Sequence, residues 1–400
     1  MRMRALQTFT ATLFAGMGVL VCLACVACHE AAPAPPGDLL KLRWTSAYDA
    51  ESRADVDTGL LWGLSFLGAD LPDDARDVLV WEDETVTLNI AHAGVDAETL
   101  PAWRALFAVL RQSEEYRVMG AVDIGRFFML TLGSSKHYFA LTGARPNYQE
   151  ARSRYRFGGT TGAIVESGVA REQRLIEMTD ARRAHEVAFV AHEGTGSIPA
   201  GTFNSHEFEL LDFMNNGQVR VALYDLEGRL KDSATPELTA AGKPAKCLWC
   251  HEIRLLPAMN NHTDAAGHYT TGQFDAEITR RMQLVEARRA GLRSQINFSH
   301  LQDHRYLEYL YLSFAEPTLE RLAREWRITP AEAARRLAGK RVIQGGGEFK
   351  FLGEQRYSRE EIDTLGPYAP IRVPGNAREP GVYEPDLITG SHQSTAPASP

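Results

Sequence analysis

Two strand-like runs flank the turn Asn215-Asn216-Gly217: Glu207-Phe208-Glu209-Leu210-Leu211-Asp212-Phe213 before it, and Gln218-Val219-Arg220-Val221-Ala222-Leu223-Tyr224 after it. Both runs alternate apolar and polar side chains, which is typical of strands with one buried face. The Asn-Gly pair supplies the positive φ angles of a tight hairpin turn. Asp225-Leu226-Glu227-Gly228 has the composition of a second turn. The sequence therefore predicts an antiparallel β unit from about Tyr155 to Leu230, to which the runs 163–167 and 186–191 also belong.

The pattern of apolar residues differs before and after this β unit. Ahead of it, 75–81 and 85–90 have the β-branched character of strands, and 97–110 has apolar residues at helical spacing. Behind it, apolar stripes predict helices over 274–296, 300–314, 318–326 and 330–337, the last capped by Thr329. We expect an α+β fold, in which an antiparallel β unit leads into the cysteine motif at 247–251 and a C-terminal helical region follows.

The predicted segments are an export signal (1–27), a Pro/Ala-rich tether (28–40), an α+β domain (41–150), a β-rich domain (151–262), a helical region (263–345) and an irregular tail (346–400). The Pro, Gly and Ser content of the tail from about Pro367 predicts that it lacks fixed structure.

The motif at the end of the β-rich domain is Cys247-Leu248-Trp249-Cys250-His251. CxxCH is the attachment sequence of a covalently bound c-type haem, in which both thiols form thioethers and the His supplies an axial nitrogen to the iron. Positions three and four apart on a helix lie on one face, so all three groups can meet one side of a flat macrocycle. The sequence predicts one haem c per chain, held by Cys247 and Cys250, with His251 as the proximal ligand. Trp249 is expected to pack near the porphyrin edge or simply to fill the surface.

Two other interpretations of the motif are weaker. A redox dithiol expects CxxC at a strand-to-helix junction near the start of a βαβ unit, and here the pair comes late in the chain. A zinc site needs more Cys or His ligands nearby, to which only His262 and His268 could contribute.

The sixth iron ligand is left open by the sequence. Met259 is the nearest downstream Met and is named as the candidate, although only eight positions separate it from His251. The other downstream candidates are His262, His268, Met282, His300 and His304. An open sixth position is an equal alternative.

The remaining cysteines, Cys22, Cys25 and Cys28, all lie within the first thirty residues. A basic start at Arg2 and Arg4 precedes an apolar run over 11–21, which is typical of an export signal. The cleavage region resembles the lipobox of bacterial lipoproteins, in which a small residue precedes a Cys that is acylated. Cys28 after Ala27 is the preferred position and Cys25 after Ala24 the alternative. The resemblance implies an exported protein of the bacterial envelope, periplasmic or at the outer membrane, held to a membrane by its N-terminal lipid.

Composition sets wider limits. The apolar content of 44% and charged content of 24% are those of an ordinary globular protein. The net charge of -8 becomes -10 without Arg2 and Arg4. Such a charge disfavours nucleic acid as a partner.

The stretch 185–251 is also similar to the C-terminal part of hydroxylamine-oxidising cytochromes that carry a Lys-cross-linked c-type haem. In both, a strand ending in a Tyr- or Phe-Asp-x-x-Gly turn leads into CxxCH. Those proteins tend to end soon after the haem site, whereas this chain continues to residue 400. No lysine lies between Lys136 and Lys231, so neither the cross-link nor the activity is carried over.

The sequence thus predicts an envelope-anchored, mono-haem c-type cytochrome that transfers single electrons to an unidentified redox partner. One alternative is an enzyme or gas sensor with five-coordinate haem, acting on peroxide or a small nitrogen compound. Another is a non-haem surface lipoprotein whose CxxCH carries a disulfide and which serves as a binding or scaffold module.

Overall fold

The N-terminal sheet follows from short runs in which alternate residues are buried. In the first strand, Leu40 and Leu42 are fully buried while Lys41 is exposed. The computed structural model describes residues 36–49, 51–71, 77–252, 260–294, 296–297, 305–345, 352–379 and 383–389. Within these ranges, the first sheet has the order β2-β3-β1-β4 and contains β1 (Leu39–Arg43), β2 (Leu79–Glu82), β3 (Thr85–Asn89) and β4 (Val122–Asp123). Strands β2 and β3 confirm the two predicted strands of this region, with β2 beginning at Leu79.

The helices of the N-terminal half are α1 (Arg53–Ser65), α2 (Leu100–Gln112), α3 (Glu114–Met119), α4 (Ile124–Thr131), α5 (Ser135–Thr142) and α6 (Tyr148–Ser153). Helix α2 confirms the predicted amphipathic helix, because Trp103, Leu106, Phe107 and Leu110 form its buried stripe. The ends of several helices have a visible local cause. Asn147, for example, accepts the backbone N–H groups of Gln149 and Glu150 at the start of α6.

The second sheet confirms the antiparallel β unit. In the described part of the chain its order is β10-β5-β6-β7-β8-β9, with β5 (Phe157–Ser167), β6 (Arg174–Thr179), β7 (Ala188–Thr195), β8 (Asn204–Phe213), β9 (Val219–Asp225) and β10 (Asn260–His262). Each neighbouring pair runs antiparallel. Strand β6 is not among the strands that the sequence analysis predicts.

The hairpin between β8 and β9 differs from the expected two-residue turn. The loop covers residues 214–218, and Gly217 has a φ of 85°. Asn216 turns its buried side chain inward and donates to the carbonyls of Ser65 and Ala69, at 2.7 and 2.8 Å. The longer loop therefore fastens the sheet to the end of α1. The second turn is as predicted, with Gly228 at a φ of 79°.

The C-terminal part contains α7 (Pro244–His251), α8 (Thr271–Ser294), α9 (Arg305–Ala315), α10 (Leu319–Trp326), α11 (Pro330–Arg336), β11 (Val342–Gln344), β12 (Gln355–Tyr357) and α12 (Arg359–Ile362). Helices α8 to α11 confirm the predicted helices, and Thr329 caps α11 through its hydroxyl. Helix α9 packs on α1 and α4. The helical region thus shares a core with the N-terminal domain. The fold class is mixed α+β with antiparallel sheets, as expected.

The predicted tail is more ordered than its composition indicates. Strand β12 and helix α12 lie inside 346–400. Further on, Lys243 donates to Glu384 at 2.7 Å, and the backbone N–H of Leu387 donates to Nε2 of the buried His137 at 2.8 Å. Long-range contacts of this kind leave no local trace in a Pro- and Gly-rich sequence. Among the residues described, no helix has the length and apolarity needed to cross a membrane.

Candidate functional site

Helix α7 carries the cysteine motif. Pro244 occupies its first turn, a position at which the missing N–H costs nothing. Cys247 is 4% exposed, whereas Cys250 and His251 are half-buried at the end of the helix. All three line the same cavity. The structure therefore brings the predicted site residues together on one helix face.

The cavity lies between α7, α8 and one face of the second sheet. The space between its lining atoms, counted together with the open solvent at its mouth, is about 880 Å³. Its lining is mostly apolar and includes Ile164, Val169, Ile176, Phe189, Ala191, Leu211, Ala241, Phe274 and Ile278. The polar groups of the lining outside the motif are Arg174, Glu209 and Lys246.

Strand alternation explains why these side chains meet. Ile176 pairs with Ala191, and Ala191 pairs with Glu209, so the three residues project from the same face of the sheet. Gly162 pairs with Ile176 and leaves space for the ring of Phe274 on α8. A Cβ at Gly162 would lie 2.0 Å from that ring. The glycine thus allows α8 to approach the sheet closely and form the cavity wall opposite it.

The thiol of Cys247 is held in a protonated form. It donates to Glu209 Oε1 at 3.4 Å. Burial raises the pKa of Cys247 well above its ordinary value, and the Glu209 carboxylate adds to the shift. Burial also raises the pKa of Cys250. Redox-active dithiols need a lowered thiol pKa, because the thiolate is the nucleophile. These surroundings disfavour the redox-dithiol interpretation.

A cluster of charged side chains, here called the cavity cluster, extends from Glu209 along the same face of the sheet. It consists of Arg174, Glu193, Glu207, Glu209 and Lys231. Arg174 lies 2.8 Å from Glu193 and 4.0 Å from Glu209, and Lys231 pairs with Glu207. The cluster therefore holds three carboxylates against two cations.

Within the cavity cluster, Glu193 and Arg174 have polar atoms without a hydrogen-bond partner. Glu193 is 2% exposed. Its Oε1 lies 2.8 Å from Arg174 Nη2 in an ion pair that lacks hydrogen-bond geometry, and Arg174 Nε makes no hydrogen bond with any described residue. Burial raises the pKa of Glu193 to about 8, Arg174 opposes the shift, and Glu209 and Glu207 add to it.

The candidates for a sixth iron ligand lie elsewhere or outside the described residues. His262 does not line the cavity and packs against the Phe274 ring, with centroids 4.4 Å apart. His268 bonds to the Thr161 hydroxyl at 2.6 Å, and Met282 packs against the core. Met259, His300 and His304 fall outside the described residues. Of the described lining residues, only His251 is a histidine and none is a methionine.

Two further interpretations of this region concern a zinc site and the position of Trp249. His262 and His268 do not line the cavity with the two cysteines. The described residues contain no cluster of three or more His, Cys, Asp or Glu side chains that could hold a metal ion. Trp249 is not among the residues that line the cavity, and its ring lies 5.4 Å from Lys246 Nζ and 5.5 Å from the Arg378 guanidinium carbon.

Sequence reasoning missed Arg174, Glu193 and Glu209 as site residues. Glu209 stands in a predicted strand and Arg174 begins an unpredicted one, and neither position carries a motif. The alternation in Arg174-Leu175-Ile176-Glu177-Met178-Thr179 is a signal from which β6 could have been found. Comparison with family models, curated proteins and solved structures gives no match for this chain.

Proposed function

We propose that this protein is a mono-haem c-type cytochrome whose haem occupies the cavity beside α7. One observation carries the proposal: two cysteines and the histidine that follows them line a single, largely apolar cavity. Cys247 and Cys250 would hold the cofactor through thioethers, and His251 would supply an axial nitrogen. When bound, the haem would supply one-electron redox chemistry at its iron.

The residues around the motif fit such a group. Aliphatic and aromatic walls on the sheet and on α8 would cover the faces of a flat apolar ring and exclude water. The buried Arg174 Nε, which has no hydrogen-bond acceptor among the described residues, is available to an acidic group of a ligand. Lys246 approaches the cavity mouth and pairs with Glu379 at 2.8 Å.

A haem-stained denaturing gel tests the proposal. The full chain is expressed with a cytochrome c maturation system, together with Cys247→Ala and the matched variant Cys22→Ala. We expect a stained band in the wild type and in Cys22→Ala, and strongly reduced staining in Cys247→Ala. A properly exported wild-type protein without stain would disprove the haem proposal and favour a lipoprotein with a binding role.

A second candidate function is favoured by the lining of the cavity. Because the described lining offers no second histidine and no methionine, an open sixth position and a small ligand bound there are supported. The protein would then act as an enzyme or sensor for peroxide, a gas or a small nitrogen compound. A high-spin spectrum and rapid carbon monoxide binding by the ferrous protein would favour this function. A low-spin spectrum in both oxidation states would favour the electron carrier.

We also propose that the protein is anchored to the bacterial envelope through Cys28, which lies outside the described residues. The support is the lipobox-like sequence alone. Labelling with a radioactive fatty acid in a bacterial host tests it, with Cys28→Ala compared with Cys25→Ala. Loss of label only in Cys28→Ala supports the anchor, and loss only in Cys25→Ala moves it to the alternative position.

A further inference from the structure

The five members of the cavity cluster carry an excess of one negative charge, and two of them, Arg174 and Glu209, line the cavity proposed for the haem. Lys231 and the hydroxyl of Thr235 compensate Glu207, the latter at 2.7 Å. Glu193 and Glu209 are left to share Arg174, which lies 2.8 and 4.0 Å away. Two carboxylates that share one buried guanidinium cannot both be ionised without cost. Such a group holds a proton readily.

Covalent attachment of haem would change the balance further. The Cys247 S–H group, which now donates to Glu209, would become a thioether with no proton to give. Glu209 would then depend more on Arg174, at the expense of Glu193. An iron centre in the cavity would add a positive charge in its ferric state and one unit less in its ferrous state. In a low-dielectric cavity such a difference acts strongly on a buried carboxylate.

We propose that Glu193 binds a proton when the iron is reduced, so that the site transfers a proton together with the electron. The proposal rests on the haem proposal above. A one-electron donor reduces the ferric iron to the ferrous state, and a proton from the solvent forms an O–H bond with the Glu193 carboxylate. Oxidation reverses both events. Glu193 is not among the residues that line the cavity with His251, so it acts as a proton-binding residue and not as an iron ligand.

The groups that face Glu193 set the direction of this coupling. Those that act on it directly are Arg174 on β6 and Glu207 and Glu209 on β8. Lys231, in the segment after β9, pairs with Glu207, and Lys246, Cys247 and Cys250 on α7 line the cavity together with Arg174 and Glu209. Arg174 favours the charged carboxylate, whereas Glu207, Glu209 and burial favour the protonated acid. The balance of these effects keeps Glu193 close to a protonation change near neutral pH.

The midpoint potential measured against pH tests the inference. The haem-loaded wild type is titrated from about pH 6 to about pH 10, with Glu193→Gln and the exposed, equally charged control Glu172→Gln. In the wild type and in Glu172→Gln the potential should fall by up to about 59 mV for each tenfold fall in proton concentration. In Glu193→Gln the slope should largely disappear, because the neutral amide does not titrate.

Two results would overturn the inference. One is a wild-type potential that does not depend on pH, and the other is a slope that persists in Glu193→Gln. If that variant does not fold, the infrared difference spectrum of the wild type upon reduction decides: a new protonated-carboxyl band supports the inference and its absence refutes it. Lack of covalent haem would remove both proposals, whereas a flat profile in haem-loaded protein removes this one alone.

Discussion

The protein buries two groups of charged side chains that differ in charge balance. The first, here called the balanced cluster, surrounds Phe314 and contains Arg43, Arg126, Arg321, Arg359, Glu115, Asp123, Glu325 and Asp363, each at most 9% exposed. It holds four cations against four carboxylates, and three of its guanidinium groups lie against the Phe314 ring. The cavity cluster holds two cations against three carboxylates and opens on a cavity.

The difference separates a structural from a functional use of buried charge. In the balanced cluster Arg359 donates to both oxygens of Glu325 at 2.8 Å, and Arg126 donates to both oxygens of Asp363 at 2.9 and 2.8 Å. These bonds join α4, α10 and the segment around α12. In the cavity cluster one carboxylate is left undercompensated. Charge balance with bidentate bonds fixes structure, whereas an excess charge beside a cavity leaves a group free to change its protonation.

Breaking the balanced cluster should give the largest effect. Arg126→Met leaves Glu115 and Asp363 buried without their main partner, since Arg126 pairs with them at 2.5 and 2.8 Å. We expect a loss of about 3–5 kcal/mol in the free energy of unfolding. Urea denaturation measures it. The control Arg126→Lys keeps the charge but loses the two-pronged geometry, so its loss should be smaller. Equal losses in both variants would contradict a role for the charge itself.

In the cavity cluster, by contrast, removal of a charged side chain should increase the free energy of unfolding. The pKa of Glu193 is about 8 in the folded protein, against about 4.5 in the unfolded chain. The folded state therefore binds more protons between these values, and stability falls as pH rises through this window. Wild type should lose this stability between pH 5 and pH 7, whereas Glu193→Gln should not. The free energy of unfolding of Glu193→Gln should therefore rise relative to that of wild type by roughly 3 kcal/mol from pH 5 to pH 7.

Denaturation curves of wild type, Glu193→Gln and the exposed control Glu172→Gln at both pH values provide the measurement. The control should follow the wild type. If Glu193→Gln followed it too, the carboxylate of Glu193 would be compensated by Arg174, and the contrast between the two clusters would be lost.

Features that depend on neighbouring residues and features that depend on the fold also differ in how well the sequence predicts them. The hairpin turns at Gly217 and Gly228, the apolar stripe of α2 and the Thr329 cap depend on neighbours within a few positions, and the sequence predicts them. The CxxCH motif is likewise local. The meeting of Arg174, Glu193 and Glu209 depends on the register of three strands. The ion pair between Arg126 and Asp363 spans 237 positions along the chain. Such contacts follow from the fold and have no periodic signal of their own.

The contribution of Asp123 in the balanced cluster to the free energy of unfolding should depend on pH in the acidic range. Burial favours its neutral form, yet the guanidinium groups of Arg321 and Arg43 outweigh this and lower the pKa of Asp123 to about 2, from 3.8. A lowered carboxylate pKa contributes stability above the unfolded value and loses it as pH falls. Asp123→Asn should therefore lose about 2 kcal/mol at neutral pH. The difference in unfolding free energy between Asp123→Asn and wild type should disappear between about pH 4 and pH 2. This effect is opposite in sign to that of Glu193→Gln. A difference that does not depend on pH would assign the loss to the hydrogen bonds of Asp123 alone.

The smallest effect is expected at a pair with similar chemistry but no burial. Arg335 and Glu332 on α11 form an ion pair three positions apart, with the Arg335 side chain 78% exposed. Water screens such a pair, and ordering two long side chains offsets most of the attraction. Arg335→Ala should therefore change the free energy of unfolding by less than about 1 kcal/mol. A loss comparable to that of Arg126→Met would mean that pairing alone determines the energy. A small loss would leave burial and charge balance as the properties that distinguish the two clusters from the surface.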